Sequence, residues 1–326
     1  MNKKIDILMA TYNGEKYVRE QIESILNQTY SEFRLIICDD LSSDNTYNIL
    51  KEYEIKDERI VLHRNETNLG YIKNFEKLLT LVENDYFMFA DQDDVWYETK
   101  VEDTFKKLED TEADLIFTDL EVVDENLNTL NNSYNTLMKY KRKILKADGY
   151  NKIYLYNVVT GCTTLTKSKY IKEILPLPNN KNLIHDHYIP LVISLCGGKI
   201  EYLDKPTIKY RQHGKNQVGT GRYTAKLKNF DEVRNHLIDI KVSIFTEYVN
   251  ISGKFEEEIN NQNKEVLMYF EGLKNIKYIN LRGINKYFKL YRYEKVSYKL
   301  LYLFVFHFPI ICKMGYKISK VFMKKR

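Results

Sequence analysis

Four short apolar runs dominate the first hundred residues: Ile5 to Ala10, Phe33 to Cys38, Arg59 to His63 and Tyr86 to Ala90. Each is broken by polar residues, and the first three are followed by a stretch with helical character. After Thr11-Tyr-Asn-Gly14, with Gly14 suited to a tight turn, the residues Tyr17, Val18, Ile22, Ile25 and Leu26 recur at helical spacing. After Asp39-Asp40, Ser42-Ser43-Asp44 offers N-caps for a helix through Leu50. After Asn68-Leu-Gly70, a helix is read from Ile72 to Leu81. This alternation predicts a parallel α/β sheet. Ligands of such sheets bind outside the carboxyl ends of the strands. Tyr12, Asp40 and the acids after Ala90 all fall at those ends, so one cleft is expected to collect them.

The acids form the stretch Phe89-Ala-Asp-Gln-Asp-Asp-Val-Trp96. Asp91, Asp93 and Asp94 leave a core strand together. Close like charges raise one another's pKa. A divalent cation relieves that repulsion, since hard cations take oxygen ligands and Mg²⁺ pairs one or two carboxylates with substrate phosphates. A solvated acidic turn is the plain alternative.

Beyond Trp96 the pattern is less regular. Strands are read at Asp114 to Thr118, Lys199 to Leu203 and Thr207 to Arg211, a loop at Asn126 to Tyr134, and a helix at Ile144 to Tyr156. Thr160-Gly-Cys-Thr-Thr-Leu165 reads as a turn into a strand. A short helix from Ser168 to Leu175 stops at Pro176 and Pro178. His185-Asp-His187 leads into an apolar helix, Tyr188 to Leu195. The polar loop Gln212 to Gly221 carries three glycines and suits a flap over an anionic ligand.

The length of 326 residues suits about two domains. A boundary is expected at 221, with an α/β domain at 1–221 and a helical, basic region at 222–326. Residues 1–220 hold 29 Lys and Arg against 35 Asp and Glu, whereas 221–326 hold 21 against 10. From Leu273 onward there are 14 basic residues and a single acid, Glu294. Helices are read at Phe230 to Val249 and Phe255 to Leu273. The apolar run Leu300 to Phe306 falls short of the roughly 20 residues a membrane span needs. A basic, aromatic tail lying on an anionic membrane surface is the expectation; burial against the core or in a homodimer is the alternative. No zinc-finger or RRM motif points to nucleic acid. Four scattered cysteines exclude a disulfide scaffold or Cys-x-x-Cys zinc site. No secretory leader is read at Met1 to Asp6. The expected location is therefore cytoplasmic, peripheral on the inner membrane face.

Taken together, Ala10-Thr-Tyr-Asn-Gly-Glu-Lys-Tyr17, Ile25-Leu-Asn-Gln-Thr-Tyr30, Cys38-Asp-Asp-Leu-Ser-Ser-Asp-Asn-Thr46, Asn68-Leu-Gly70 and Ala90-Asp-Gln-Asp-Asp-Val-Trp96 resemble family 2 glycosyltransferases of the GT-A fold. The resemblance covers about residues 1–220. The Asp-Gln-Asp-Asp-Val-Trp form and Tyr210-Arg-Gln-His-Gly-Lys-Asn-Gln-Val-Gly219 resemble the bacterial rhamnosyltransferase-like branch, which builds cell-surface polysaccharides.

The resemblance implies inverting transfer from a dTDP- or UDP-linked sugar to a lipid-linked or growing glycan acceptor, with Mg²⁺ or Mn²⁺. It implies that Thr11, Tyr12 and Asp40 line the nucleotide pocket, Asp40 accepting from the base edge; a helix N-cap is the other role open to Asp40. Asp93 or Asp94 would hold the metal, and the spacing does not choose between them. Asp91 is expected near the ribose or behind the ligands. His213 is a metal or diphosphate contact, or a plain loop histidine. Arg211 and Lys215 are phosphate contacts. Inversion needs a base for the acceptor hydroxyl, and Asp186 is the candidate, partial burial raising its pKa; a helix N-cap is its plain alternative. His185 and His187 orient it, touch the donor, or serve structure.

The alternative function is a non-catalytic, glycosyltransferase-like scaffold or sugar-nucleotide-binding subunit; the intact acids and Asp186 favour the enzyme. A nucleotidyltransferase would carry a basic Gly-rich loop that Ala10-Thr-Tyr-Asn-Gly14 lacks. A glycosidase would need neither nucleotide pocket nor metal cluster.

Overall fold

The computed structural model describes residues 3–138, 157–214, 230–255, 257–275 and 306–307. The chain divides into two compact units, one of residues 1–179 and 184–219, the other of residues 180–183 and 220–326.

The first unit is a nine-stranded sheet with flanking helices. Strands β1 (Ile5–Thr11), β2 (Phe33–Asp39), β3 (Ile60–Arg64) and β4 (Tyr86–Ala90) alternate with helices α1 (Val18–Leu26), α2 (Thr46–Lys56) and α3 (Tyr71–Thr80). These are the elements the alternation predicts, within a residue or two. Strand β1 pairs in parallel with β2 and β4, and β2 with β3. Strands buried on both faces have no use for alternating polarity. Thus β4 is buried throughout, as is the core run from Ile5 to Met9.

The second half of the sheet is mixed. It adds β5 (Val95–Trp96), α4 (Lys100–Thr111), β6 (Leu115–Val123), β7 (Thr129–Asn131), α5 (Tyr134–Leu137), β8 (Leu165–Lys167), α6 (Ile171–Ile174), α7 (His185–Leu195) and β9 (Ile200–Arg211). The order across the sheet is β3-β2-β1-β4-β8-β6-β9-β5, with β7 paired to β6. Strand β8 runs antiparallel between β4 and β6, and β9 runs parallel to β6.

Several expectations change here. The two strands read at 199–203 and 207–211 are one, β9. Its ladder with β6 shifts register between Thr118 and Asp119, where Asp119 faces Pro206. A bulge tolerates a proline that a regular ladder would not. Part of the loop read at 126–134 pairs as β7, and α4 and β5 were not foreseen. The helix read at 144–156 and Lys215 lie outside the described residues. Helix α7 starts at His185 rather than Tyr188, which carries Asp186 into its first turn.

In the second unit, helices α8 (Phe230–Ser252) and α9 (Glu257–Lys274) lie together. Phe245 stacks on Phe270 at 5.6 Å, and buried Asn263 donates Nδ2 to Ser252 Oγ at 3.0 Å. Among the described residues no helix is long and apolar enough to cross a membrane.

Candidate active site

The candidate site begins where β1 and β2 end. Asn13, with φ of 48°, donates its N–H to Ser42 Oγ (2.9 Å), and its Oδ1 accepts from the Ser43 N–H (2.8 Å). Gly14 N–H donates to Thr46 Oγ1 at 2.8 Å. Buried Thr11 donates to Asp39 Oδ1 at 3.2 Å. The loops after the two strands are thereby laced together. Gln92, between the acids, clamps the Tyr12 backbone: Oε1 accepts its N–H at 2.9 Å, and Nε2 donates to its carbonyl at 3.0 Å. The clamp depends on Gly14, because a Cβ there would lie 2.3 Å from Gln92 Oε1 and force the amide to shift. The Tyr12 ring is 46% exposed, leaving it open to a planar ligand.

Asp40 has other work than reading a base. Its Oδ1 accepts from Asn65 Nδ2 (2.7 Å) and the Leu69 N–H (2.8 Å), and its Oδ2 from the Gly70 N–H (2.8 Å). It is buried and pins the turn that opens α3. It does not cap α2, which starts after Asn45. Its carboxylate therefore holds that turn, with three of its lone-pair positions already filled.

The acidic turn separates into an inner and an outer part. Asp93, the outer acid, pairs with His213, Oδ2 to Nε2 at 2.8 Å, and the His213 ring packs on Tyr17 at 4.9 Å. Potential ligand atoms of Asp91, Asp94 and Cys162 lie within 4.8 Å of one another. Asp94 is fully buried; Oδ1 accepts from the Arg211 N–H at 3.1 Å, and Oδ2 has no hydrogen-bond partner among the described residues. Desolvation, then repulsion from Asp93, pushes Asp91 up to about 6 and Asp94 well above the carboxylate range. Two crowded carboxylates with an orphaned buried oxygen offer the oxygen donors that fit a hard divalent cation; the imidazole of His213 is placed only against Asp93.

Arg211 does not point to phosphate. Its side chain is buried, donating Nε to the Asp93 carbonyl (2.9 Å), Nη1 to the Glu125 carbonyl (2.7 Å) and Nη2 to the Glu20 carboxylate. Its guanidinium lies 4.5 Å from the Tyr17 ring centre. It is a strut for the acidic turn. Such a strut is not legible in the sequence, because the acceptors are two backbone carbonyls and a residue 191 positions away, which no local motif announces.

Asp186 sits in the first turn of α7 but is not its N-cap, a place held by Ile184. Burial is the main cause that raises its carboxyl to about 7, with Asp91's charge adding to it. Asn157 Nδ2 donates to Asp186 Oδ1 at 3.3 Å and opposes the rise. The His185 ring lies 4.2 Å from Phe75 and 5.0 Å from Phe89, and desolvation lowers its pKa to about 4, so it is neutral at pH 7. Gly161 allows the close approach, since a Cβ there would lie 2.7 Å from His185 Nε2. His187 is buried. Thus Thr11, Tyr12, Asp40, Asp91, Asp93, Asp94, Asp186, Arg211 and His213 all belong to the first unit. Gln92, Cys162, Asn157 and the buried Lys100 join them without having been foreseen.

Against known proteins, residues 6–175 match the family model "Glycosyl transferase family 2". The chain is 34% identical over 242 residues to a dTDP-rhamnosyl transferase, RfbG, of Shigella flexneri, covering 70% of this chain and 79% of the relative. It is 38% identical over 98 residues to an Escherichia coli UDP-Glc:α-D-GlcNAc-diphosphoundecaprenol β-1,3-glucosyltransferase, WfgD, covering 30% of this chain and 38% of that relative. Among solved structures, S. aureus TarS 1-349 in complex with UDP-GlcNAc shares the fold with a TM-score of 0.59 at 18% identity, over 87% of this chain and 75% of that one. The mannosyltransferase PcManGT from Pyrobaculum calidifontis, in complex with GDP-Man and Mn2+, does so at 0.54 and 13%, over 83% and 74%. With more than half its length under the family model and a relative matched across most of both chains, this chain belongs to glycosyl transferase family 2.

Proposed function

We propose that this glycosyltransferase inverts configuration as it moves a sugar, rhamnose or a hexose, from a dTDP- or UDP-linked donor to a hydroxyl of a lipid-linked or growing glycan in cell-surface polysaccharide synthesis. The observation that carries the reading is the position of Asp186: it lies in the first turn of α7, whose first residue, His185, packs its ring 5.0 Å from Phe89 of β4, the strand that leads into the acidic turn, and burial holds its carboxyl near neutrality. A base tuned near the working pH is what proton abstraction from an alcohol requires.

In the reaction, the acceptor oxygen forms a bond to the anomeric carbon while the bond from that carbon to the diphosphate oxygen breaks. The electron pair leaves with the diphosphate. The acceptor proton passes to Asp186, and the sugar's configuration inverts. Tyr12 stacks on the base, Thr11 and the wall pinned by Asp40 frame the nucleoside, and Asp91 faces the ribose. Asp93 and His213, backed by Asp94, would hold Mg²⁺ or Mn²⁺. When bound, the metal neutralises charge gathering on the diphosphate. Lys215 approaches phosphate in this reading, in the role that Arg211 does not fill.

Residues 1–221 act as the catalytic domain. Residues 222–326 act as a basic anchor on anionic lipid, or as a dimer contact, keeping the enzyme where a lipid-linked acceptor is presented. Calorimetric titration with dTDP and UDP, with and without Mn²⁺, names the donor class; binding of neither would favour the scaffold role. Asp186→Asn should abolish transfer and retain metal-dependent nucleotide binding, and full activity in that variant would remove Asp186 as base. Deletion of 273–326 should release the protein from phosphatidylserine-containing vesicles; unchanged vesicle binding would remove the anchor.

A further inference from the structure

Leu41 holds a backbone angle that suits glycine, with φ of 61°. A side chain at this angle crowds the neighbouring carbonyl oxygen, a strain that glycine does not feel. The angle is imposed from both sides. Asp40 is fixed by Asn65 and by the amides of Leu69 and Gly70. Ser42 is fixed by buried Asp39, which accepts its N–H at 3.0 Å and its hydroxyl at 2.5 Å. Yet the leucine fills no core, being 39% exposed. The other described non-glycine residues with positive φ are Asn13, Glu112 and Leu127. Asparagine visits this region readily, Glu112 closes the C-terminus of α4, and Leu127 is half-buried in the turn after Asp124. Leu41 serves none of these ends. Strain held in an exposed loop of the candidate site points to a ligand.

Two further exposed apolar side chains share this edge, Tyr12 and Leu69. The Asp40 N–H donates to the Thr11 carbonyl at 2.8 Å and the Asn13 N–H to Ser42 Oγ at 2.9 Å, so the backbone of Tyr12 runs beside that of Leu41. The Leu69 N–H donates to Asp40 Oδ1 at 2.8 Å and Asn68 Nδ2 to the Asp40 carbonyl at 3.1 Å, which brings the turn before α3 to the same place.

We infer that Leu41 is a specificity-determining residue: with Leu69 it lays an apolar edge beside the Tyr12 ring and selects a pyrimidine that carries a 5-methyl group, thymine over uracil. The two bases offer the same N3–H and the same two carbonyls, so hydrogen bonds do not tell them apart. The methyl does, through apolar contact. Covering the exposed leucine when the base arrives is what the strained angle gains. The inference rests on the function proposed above and narrows its donor to a dTDP-linked sugar.

The test is calorimetric titration of the full chain, in Mn²⁺, with dTDP and dUDP, which differ only in the 5-methyl group. Covering one methyl predicts that the wild type binds dTDP about fourfold more tightly than dUDP. Leu41→Gly and Leu41→Asn, both at ease at this backbone angle, should bring the two affinities together by weakening dTDP. Leu41→Met, which keeps an apolar side chain, should retain most of the preference. No preference in the wild type, or one that survives in either the glycine or the asparagine variant, would overturn the inference and leave donor binding standing. Binding of neither nucleotide by the wild type would remove the proposed function and this inference with it. Thermal unfolding without nucleotide checks the strain: Leu41→Gly should hold or raise the midpoint. A fall of more than about 4 °C would make Leu41 a contact of the fold and overturn the inference.

Discussion

Arg211→Lys separates a strut from a phosphate contact. In the native protein the guanidinium meets three acceptors at fixed angles: the Asp93 and Glu125 carbonyls and the Glu20 carboxylate. Lysine keeps the charge but has one nitrogen and no planar fork. It can satisfy one carbonyl at most without moving the turn. The Glu20 side chain is 52% exposed, so its ion pair is discounted to a surface value of about 0–1 kcal/mol. The lost carbonyl bond to a charged donor contributes about 1.5–3 kcal/mol, and loss of the contact with Tyr17 about 1 kcal/mol. The sum is about 2.5–5 kcal/mol, or roughly 5–20 °C in the unfolding midpoint of a unit of this size. Scanning calorimetry of both proteins without nucleotide reads it directly. An unchanged midpoint, accompanied by weaker nucleotide binding, would refute the strut and return Arg211 to the phosphate.

Three further outcomes follow from the geometry. If Asp186 is the base, kcat should rise with pH through a midpoint near 7 as its carboxyl ionises; Asn157→Ala, removing the donor that favours the ionised form, should move that midpoint upward, and an unmoved profile would separate Asn157 from the base. Because the folded pKa of Asp186 lies above its unfolded value, the folded state holds the extra proton between about pH 4 and 7, and this group's contribution to stability falls as pH rises across that window; Asp186→Asn should therefore raise the unfolding midpoint at pH 8 and do so less at pH 5. Gly14→Ala should displace Gln92 and break both its bonds to Tyr12, about 1–3 kcal/mol together, weakening nucleotide binding by roughly 5- to 150-fold while Gln92→Ala in the same background adds little.

Much of the site's placement was legible because it follows from backbone rules. Apolar runs with helical spacers make parallel strands, parallel strands align their carboxyl ends, and Thr11, Asp40 and Asp91 stand at those ends. The acidic turn was legible because three carboxylates leaving a core strand demand explanation. Individual roles were less so. Asp40 looked like a base reader or a cap for α2, yet its oxygens meet amides of residues 69 and 70, a pairing set by how β2 and α3 pack. Lys100 reads as an ordinary surface lysine; only the packing of Trp96 and Cys162 around it shows otherwise. Gln92 was visible as the residue between two acids, but an amide clamp on a backbone 80 positions away has no local signature. The unbroken course of β9 was hidden by Asp204-Lys205-Pro206, which looks like a turn and is accommodated by a register shift.

The strut formed by Arg211 also has a kinetic meaning. It ties the end of β9 to Glu20, Asp93 and Glu125, contacts that close loops of 86 to 191 residues. Contacts of such long sequence separation are slow to form, since their closure entropy must be met before they stabilise anything. A chain growing from its N-terminus can pair β1, β2, β3 and β4 early, yet it holds an unbraced acidic turn until residue 211 has been made and β9 has inserted between β6 and β5. Until then the partly built protein has the ends of its first four strands in place but not the braced turn beside them.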